Sequence, residues 1–228
     1  MRNIVRPFWE YRCIFLRSEV DRIMTLSMLF SIGMVMARMV YSGERDYLFL
    51  VWNLFLAYIP YFISSWLTRK PSWAAYARKF VLVLGVWIPF IPNSFYILTD
   101  LFHLGFHAGA PLWFDLALII SFAWNGLLLG ILSVRQMEKF VELYLPGKTT
   151  WLFLYPVMVL NALGVYIGRY LRFNSWDVIT NPFALVSDIG RMIWHPLEYR
   201  EVWAMVTCFS VLMILVYTTL KKISKMIW

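Results

Sequence analysis

Residues 112–134 read LWFDLALIISFAWNGLLLGILSV, twenty-three residues that contain one charge, Asp115. A helix of that length is about 35 Å long at 1.5 Å per residue, enough to cross a hydrocarbon layer of about 30 Å. Gly126 and Gly130 form a G-x-x-x-G, a pattern that brings helix backbones together in membranes. At 100° per residue both glycines lie within about 60° of Asp115 around the helix, so the carboxylate is expected to face protein rather than lipid.

Five further apolar runs of similar length lie around this one, at 23–41, 47–67, 80–104, 151–171 and 202–220. With 112–134 they predict six transmembrane helices, an all-α integral membrane bundle. Composition agrees: 61% of residues are hydrophobic, against roughly 45–50% in soluble domains. The first 22 residues, MRNIVRPFWEYRCIFLRSEVDR, carry five arginines among aromatic and aliphatic side chains and lack a cleavage-site pattern. They read as a cytoplasmic interfacial helix rather than a signal peptide. Residues 23–220 then form the transmembrane domain and 221–228 a basic cytoplasmic tail. Cys13 and Cys208 are too isolated to suggest a structural disulfide.

Lysine and arginine sort between the two sides, fifteen on the side of the termini and six on the other. By the positive-inside rule both termini are cytoplasmic in a bacterial plasma membrane. The net charge of +8 is then a property of cytoplasmic loops, and nucleic acid is excluded as a partner.

The other side carries the polar residues that an apolar bundle must satisfy. In WIPFIPNSFYILTDLFHLGFH, residues 87–107, the positions Asn93, Tyr96, Asp100, His103 and His107 repeat at intervals of 3, 4, 3 and 4, a single helical stripe. A carboxylate and two imidazoles there require partners, water or a ligand. The short link GFHAGAP at 105–111 brings Asp115 beside this stripe. The fifth span repeats the glycine device at Gly164 and Gly168, with Asn161, Arg169 and Arg172 on or near that face. Asn53 in the second span needs a partner at similar depth. Pro89 and Pro92 precede Asn93, and a kink there would open the bundle outward. The connection 173–201 carries a helix signal, Asn181 as cap and Pro182 at the first position before FALVSDIGRMIW. It reads as an amphipathic flap on the outer face, with Trp176, Phe183 and Trp194 at headgroup depth and His195 able to reach the stripe.

Two chemistries fit these residues. Asp100 and His103 offer D-x-x-H, and with Asp115 or His107 they would hold a divalent metal such as zinc that activates water against an ester or phosphate. Tyr96 would serve as proton donor, and Arg169, Arg172, Asn174, Asn93, Asn53 and Trp176 would bind a headgroup. Alternatively Asp100 pairs with Arg169 or Arg172 in a purely structural ion network.

The runs WNLFLAYIPY, FIPNSFYILTDLFHL, WFD at 113–115, NGLLLGILSV and IGRYLRFNSWD resemble the uncharacterised bacterial multi-pass family catalogued as domain of unknown function 1361. The resemblance spans about residues 47–190. It implies a multi-pass membrane protein and carries no activity across. It falls on Pro92, Asn93, Tyr96, Thr99, Asp100, His103 and Leu104, on Trp113 to Asp115, and on Arg169, Arg172 and Asn174 to Asp177; His107 and His195 lie outside these blocks. The leading expectation is an outward-facing polar pocket acting on a lipid or lipid-linked substrate as a metal-dependent hydrolase or transferase. A transporter or proton-coupled channel, motivated by Asn53, Asn125 and Asn161, and an accessory scaffold are the alternatives.

Overall fold

The computed structural model describes residues 14–105, 109–173 and 180–226. Helix α1 spans Ile14–Ser42 and α2 Leu48–Arg69; a single turn at Pro71–Ala74 leads to α3, Ala77–Tyr96, which tightens into a 3₁₀ segment over Ile97–His103. Helix α4 is Leu112–Tyr144, and a π-helical turn at Thr150–Leu154 opens α5, Tyr155–Arg169. Helix α6, Pro182–Trp194, and α7, Arg200–Met226, complete the described chain. Six segments are long and apolar enough to cross a membrane: Glu19–Ser42, Leu48–Arg69, Ala77–His103, Leu112–Tyr144, Thr150–Arg169 and Arg200–Ser224. The six-span reading holds, and the protein is a multi-pass membrane protein.

Of the N-terminal segment only the part from Ile14 is described, and it is helical without a break into the first span. Cys208 is a free thiol on an exposed face of α7, while Cys13 lies outside the described residues. Two ends of the bundle can be told apart: a basic end, where α2 meets α3, and the opposite end, where α3 turns toward α4 and which carries His103.

Helix α4 is the hub, packed on α1, α2 and α3, with α5 against α3 and α7 against α5. Glycines explain how close these helices come. A Cβ on Gly126 would sit 2.8 Å from the Ser94 carbonyl oxygen, and one on Gly130 3.0 Å from the Phe95 ring. On the other flank, a Cβ on Gly164 would sit 2.6 Å from Pro92 and one on Gly168 3.3 Å from Tyr96. The segment from Pro92 to Ile97 is therefore clamped between two glycine faces, as small residues allow in membranes. At this level the Pro92 ring fills the space that the missing Gly164 side chain leaves.

Hydroxyls complete the interior. Ser94 Oγ donates to Ala57 O at 2.9 Å and Ser133 Oγ to Pro60 O at 2.8 Å. Ser133 also accepts from Trp87 Nε1 at 2.8 Å, deep in the apolar core of α3, α4 and α5. Burying these polar atoms without partners would cost about 1–3 kcal/mol each.

Helix α6 begins at Pro182 as the sequence indicates, with Asn181 in the capping position, although the Asn181 side chain makes no capping bond. Its inner face buries Met192 against Ala162 of α5 and Val202 and Val206 of α7, and Trp203 Nε1 donates to Met192 O at 3.1 Å. Phe183, Val186, Ile193 and Trp194 point away from the bundle and are exposed.

Candidate functional site

The polar residues at the His103 end form two networks. In the first, Asp100 is completely buried. Its Oδ2 accepts from Asn53 Nδ2 at 2.9 Å, and its Oδ1 lies 3.4 Å from Arg169 Nη1. Asn53 thus finds the partner its depth demands. Arg169 reaches across from the C-terminal end of α5 and donates through Nη2 to Thr99 O at 2.9 Å. Its guanidinium carbon lies 5.8 Å from the centre of the Tyr96 ring and 5.6 Å from that of Phe102, a sandwich that favours a cation.

The 3₁₀ turn shapes this network. The stripe from Asn93 to His103 is not one uninterrupted α-helix, since the α geometry stops at Tyr96. At three residues per turn Asp100 and His103 stand one above the other. Arg169 adds a side-chain donor to the Thr99 carbonyl within this segment.

His103 is the rim of the cluster. Its side chain is 31% exposed, and its ring lies 4.8 Å from that of Phe49. Nδ1 is 3.1 Å from Arg169 Nη2 and 3.3 Å from Asp100 O. A guanidinium can only donate, so the shorter contact assigns Nδ1 as acceptor and leaves the ring proton on Nε2. A metal-bound histidine has the opposite arrangement, donating its second ring N–H to an acceptor.

The second network holds Asp115, which does not join Asp100. Arg38 Nε donates to Asp115 Oδ1 at 2.8 Å and Arg38 Nη2 to Oδ2 at 3.3 Å, a two-pronged pair. Tyr47 Oη donates to Oδ2 at 3.2 Å, and its ring lies 4.5 Å from the Arg38 guanidinium carbon. Both members of the pair are buried, Arg38 at 1% and Asp115 at 2% exposure. Asp46 approaches Arg38 at 4.0 Å from the link between α1 and α2. The expected grouping of Asp100, His103 and Asp115 around one ion is therefore not the arrangement present. Among the described residues no three of His, Cys, Asp and Glu are placed to hold a metal.

Burial and the neighbouring Asp115 charge push the Tyr47 phenol up to about 12. The folded value lies above the ordinary value near 10, so the phenol stays a donor, and its contribution fades only as pH climbs through about 12. Tyr47→Phe is expected to lower stability by about 1.5–3 kcal/mol, the range for a bond to a charged group, by an amount constant across the neutral pH range. Unfolding in detergent at several pH values measures this.

The remaining candidates are dispersed. Asn93 and Tyr96 are half-buried, and Tyr96 Oη accepts from Arg169 Nη1 at 3.4 Å. Arg172 is exposed just beyond α5, with φ of 59° in the left-handed region that a non-glycine residue rarely adopts. His195 is exposed at the C-terminal end of α6. His107, Asn174 and Trp176 lie outside the described residues.

Sequence reasoning missed Arg38 and Tyr47. The available signal was depth: Arg38 stands four residues before the end of α1 and Asp115 three after the start of α4, so a buried cation and a buried anion lie at one level.

Among known families, the one described as protein of unknown function (DUF1361) has a model that matches residues 52–216. The match takes in Asn53, Asp100, His103, Asp115, Arg169 and Arg172, and leaves Arg38 and Tyr47 outside it. No curated protein and no solved structure matches the chain.

Proposed function

The chain belongs to the DUF1361 family of proteins of unknown function, and we propose that it is a plasma-membrane protein that binds, and acts by proton transfer on, a lipid or lipid-linked substrate at its His103 end. The observation that carries this reading is the contrast in exposure within one network: His103 keeps 31% of its side chain exposed while Asp100, three residues before it, keeps 0%. Asn53 and Arg169 neutralise and hold Asp100, Arg169 holds the His103 ring through Nδ1, and the part-exposed imidazole is the group that would exchange a proton with a phosphate or ester oxygen. Asp100, Arg169, Tyr96 and Asn53 are positioning residues on this reading. The charge asymmetry of the loops supports a reading with this end outside and both termini in the cytoplasm. Exposed Phe183 and Trp194 suit the headgroup layer there.

A divalent ion such as zinc would have to displace Arg169 from both Asp100 and His103, which is why proton transfer is preferred to the metal-dependent form of the same idea. A transport route has less support. Asn125 Nδ2 is tied to Ser31 Oγ at 2.9 Å and to Ser121 O at 3.0 Å, and Ser133 is engaged by Trp87 and Pro60. A structural role for the network is the second reading, favoured by the pairing of Asp100 with Arg169 and of Asp115 with Arg38.

One experiment separates the two. The protein is purified in mild detergent, and its retained lipids are counted by native mass spectrometry for wild type, His103→Ala, and the apolar double variant Asp100→Leu with Arg169→Met. A lipid retained at one per chain by wild type and lost at least tenfold in His103→Ala, at unchanged melting temperature, is the expected result. Identical lipid profiles in all three proteins would remove the binding reading and leave the structural one.

A further inference from the structure

The basic end of the bundle carries a feature that the His103 site does not involve. Residues 69–79, RKPSWAAYARK, hold four cations, Arg69, Lys70, Arg78 and Lys79, and no acid. All four are exposed. They sit on a folded scaffold. Trp66 and Trp73 meet edge to face with centroids 5.2 Å apart. Lys70 Nζ lies 5.6 Å from the centre of the Trp66 ring, and Lys79 Nζ lies 5.3 Å from that of Trp73 and 4.9 Å from that of Tyr76. The turn Pro71–Ala74 is pinned to α4, because Tyr144 Oη donates to the Ala74 carbonyl and Phe80 stacks on the Tyr144 ring at 5.4 Å. Among the described residues one carboxylate approaches this set: Asp21, 3.8 Å from Arg69, whose side chain stays 69% exposed.

We propose that this α2–α3 corner is a binding site for the phosphate of an anionic phospholipid, formed by Lys70, Arg78 and Lys79 above the Trp66, Trp73 and Tyr76 rings. Depth argues for a lipid rather than a soluble partner. Helix α2, 22 residues long, spans about 33 Å, so the corner stands one hydrocarbon thickness from Leu48, where headgroup phosphates lie. Indole and phenol rings favour that same layer. Charge argues for an anionic lipid, since Asp21 is the one described acid paired with any of these four cations. The aromatic contacts matter because they hold Lys70 and Lys79 in place, which a loose basic loop would not do. The site is independent of the proposed function at the other end.

Spin-label electron paramagnetic resonance in phosphatidylcholine vesicles tests it, with labelled phosphatidylglycerol and labelled phosphatidylcholine as probes. Wild type is expected to hold the anionic probe at least about fivefold more strongly, since one cation near a membrane surface is worth about that factor. Lys70→Ala with Lys79→Ala should bring the ratio close to one. Lys148→Ala with Lys222→Ala removes the same charge from exposed positions at this end and should leave the ratio within twofold. Trp73→Leu with Tyr76→Leu keeps every charge and should still weaken the preference, while Lys70→Arg with Lys79→Arg should retain it. Equal losses in the two alanine pairs would reduce the effect to diffuse charge and overturn the site. So would the absence of any preference in wild type, or full displacement of the probe by millimolar inorganic phosphate, which would mark a small-anion site instead.

Discussion

Asp115→Ala is expected to destabilise the folded protein by about 3–5 kcal/mol, the usual cost of removing one partner of a buried ion pair. The reason is the burial of its partner. Arg38 is 1% exposed, so when the carboxylate goes the guanidinium keeps its charge and loses two short contacts. Neither Ser42 Oγ at 3.3 Å nor Asp46 at 4.0 Å matches the two-pronged carboxylate that is lost. Tyr47 loses its acceptor at the same time. The loss is not additive for the pair: Arg38→Met combined with Asp115→Leu should recover most of it, because two apolar side chains of similar volume carry no desolvation cost. Equilibrium unfolding in detergent by denaturant titration measures both. A single variant as stable as wild type would show that water or another group compensates Arg38.

Gly164→Leu is expected to have an effect of similar size through a different mechanism. A bare Cβ at this position already lies 2.6 Å from Pro92 Cβ and Cγ, and a pyrrolidine ring cannot swing aside as a flexible side chain does. Gly164→Ala alone should cost about 1–3 kcal/mol, the usual penalty for overpacking, and leucine more. Helix α5 would have to retreat from α3, drawing Arg169 away from Asp100, Thr99 and His103. The variant should therefore also change the site: without Arg169 on Nδ1, His103 becomes more reactive toward diethylpyrocarbonate, measured by peptide mass. Gly190→Ala is the control. Nothing lies within 4 Å of a Cβ there, so the change should be neutral or stabilise α6 by up to about 1 kcal/mol.

The six spans were legible because hydropathy is local: each run of about twenty apolar residues reports its own fate whatever surrounds it. The glycine faces were legible for a related reason, since G-x-x-x-G marks the side of a helix that will be approached closely. Asp100 with Arg169 was within reach too, as one of two partners open to it. The Asp115 pairing was not. A short link from α3 to α4 makes those helices neighbours, yet it leaves open which flank of α4 Asp115 occupies, and α1 turns out to meet α4 there with Arg38.

Membrane class, span number and the presence of costly polar groups near one end follow from composition and order along the chain. Which carboxylate meets which arginine depends on the rotation of each helix about its axis and on the neighbour it packs against. Those rotations are set by contacts between distant segments, Gly164 on Pro92 and Gly126 on Ser94, and by the shift from α to 3₁₀ geometry at Ile97. A turn of α4 by about 100°, one residue's rotation, would carry Asp115 away from Arg38 and Tyr47 without altering a residue. Hydropathy, being blind to that angle, locates the polar groups in depth, and packing alone sorts them into an Asp100–Arg169 network and an Asp115–Arg38 network.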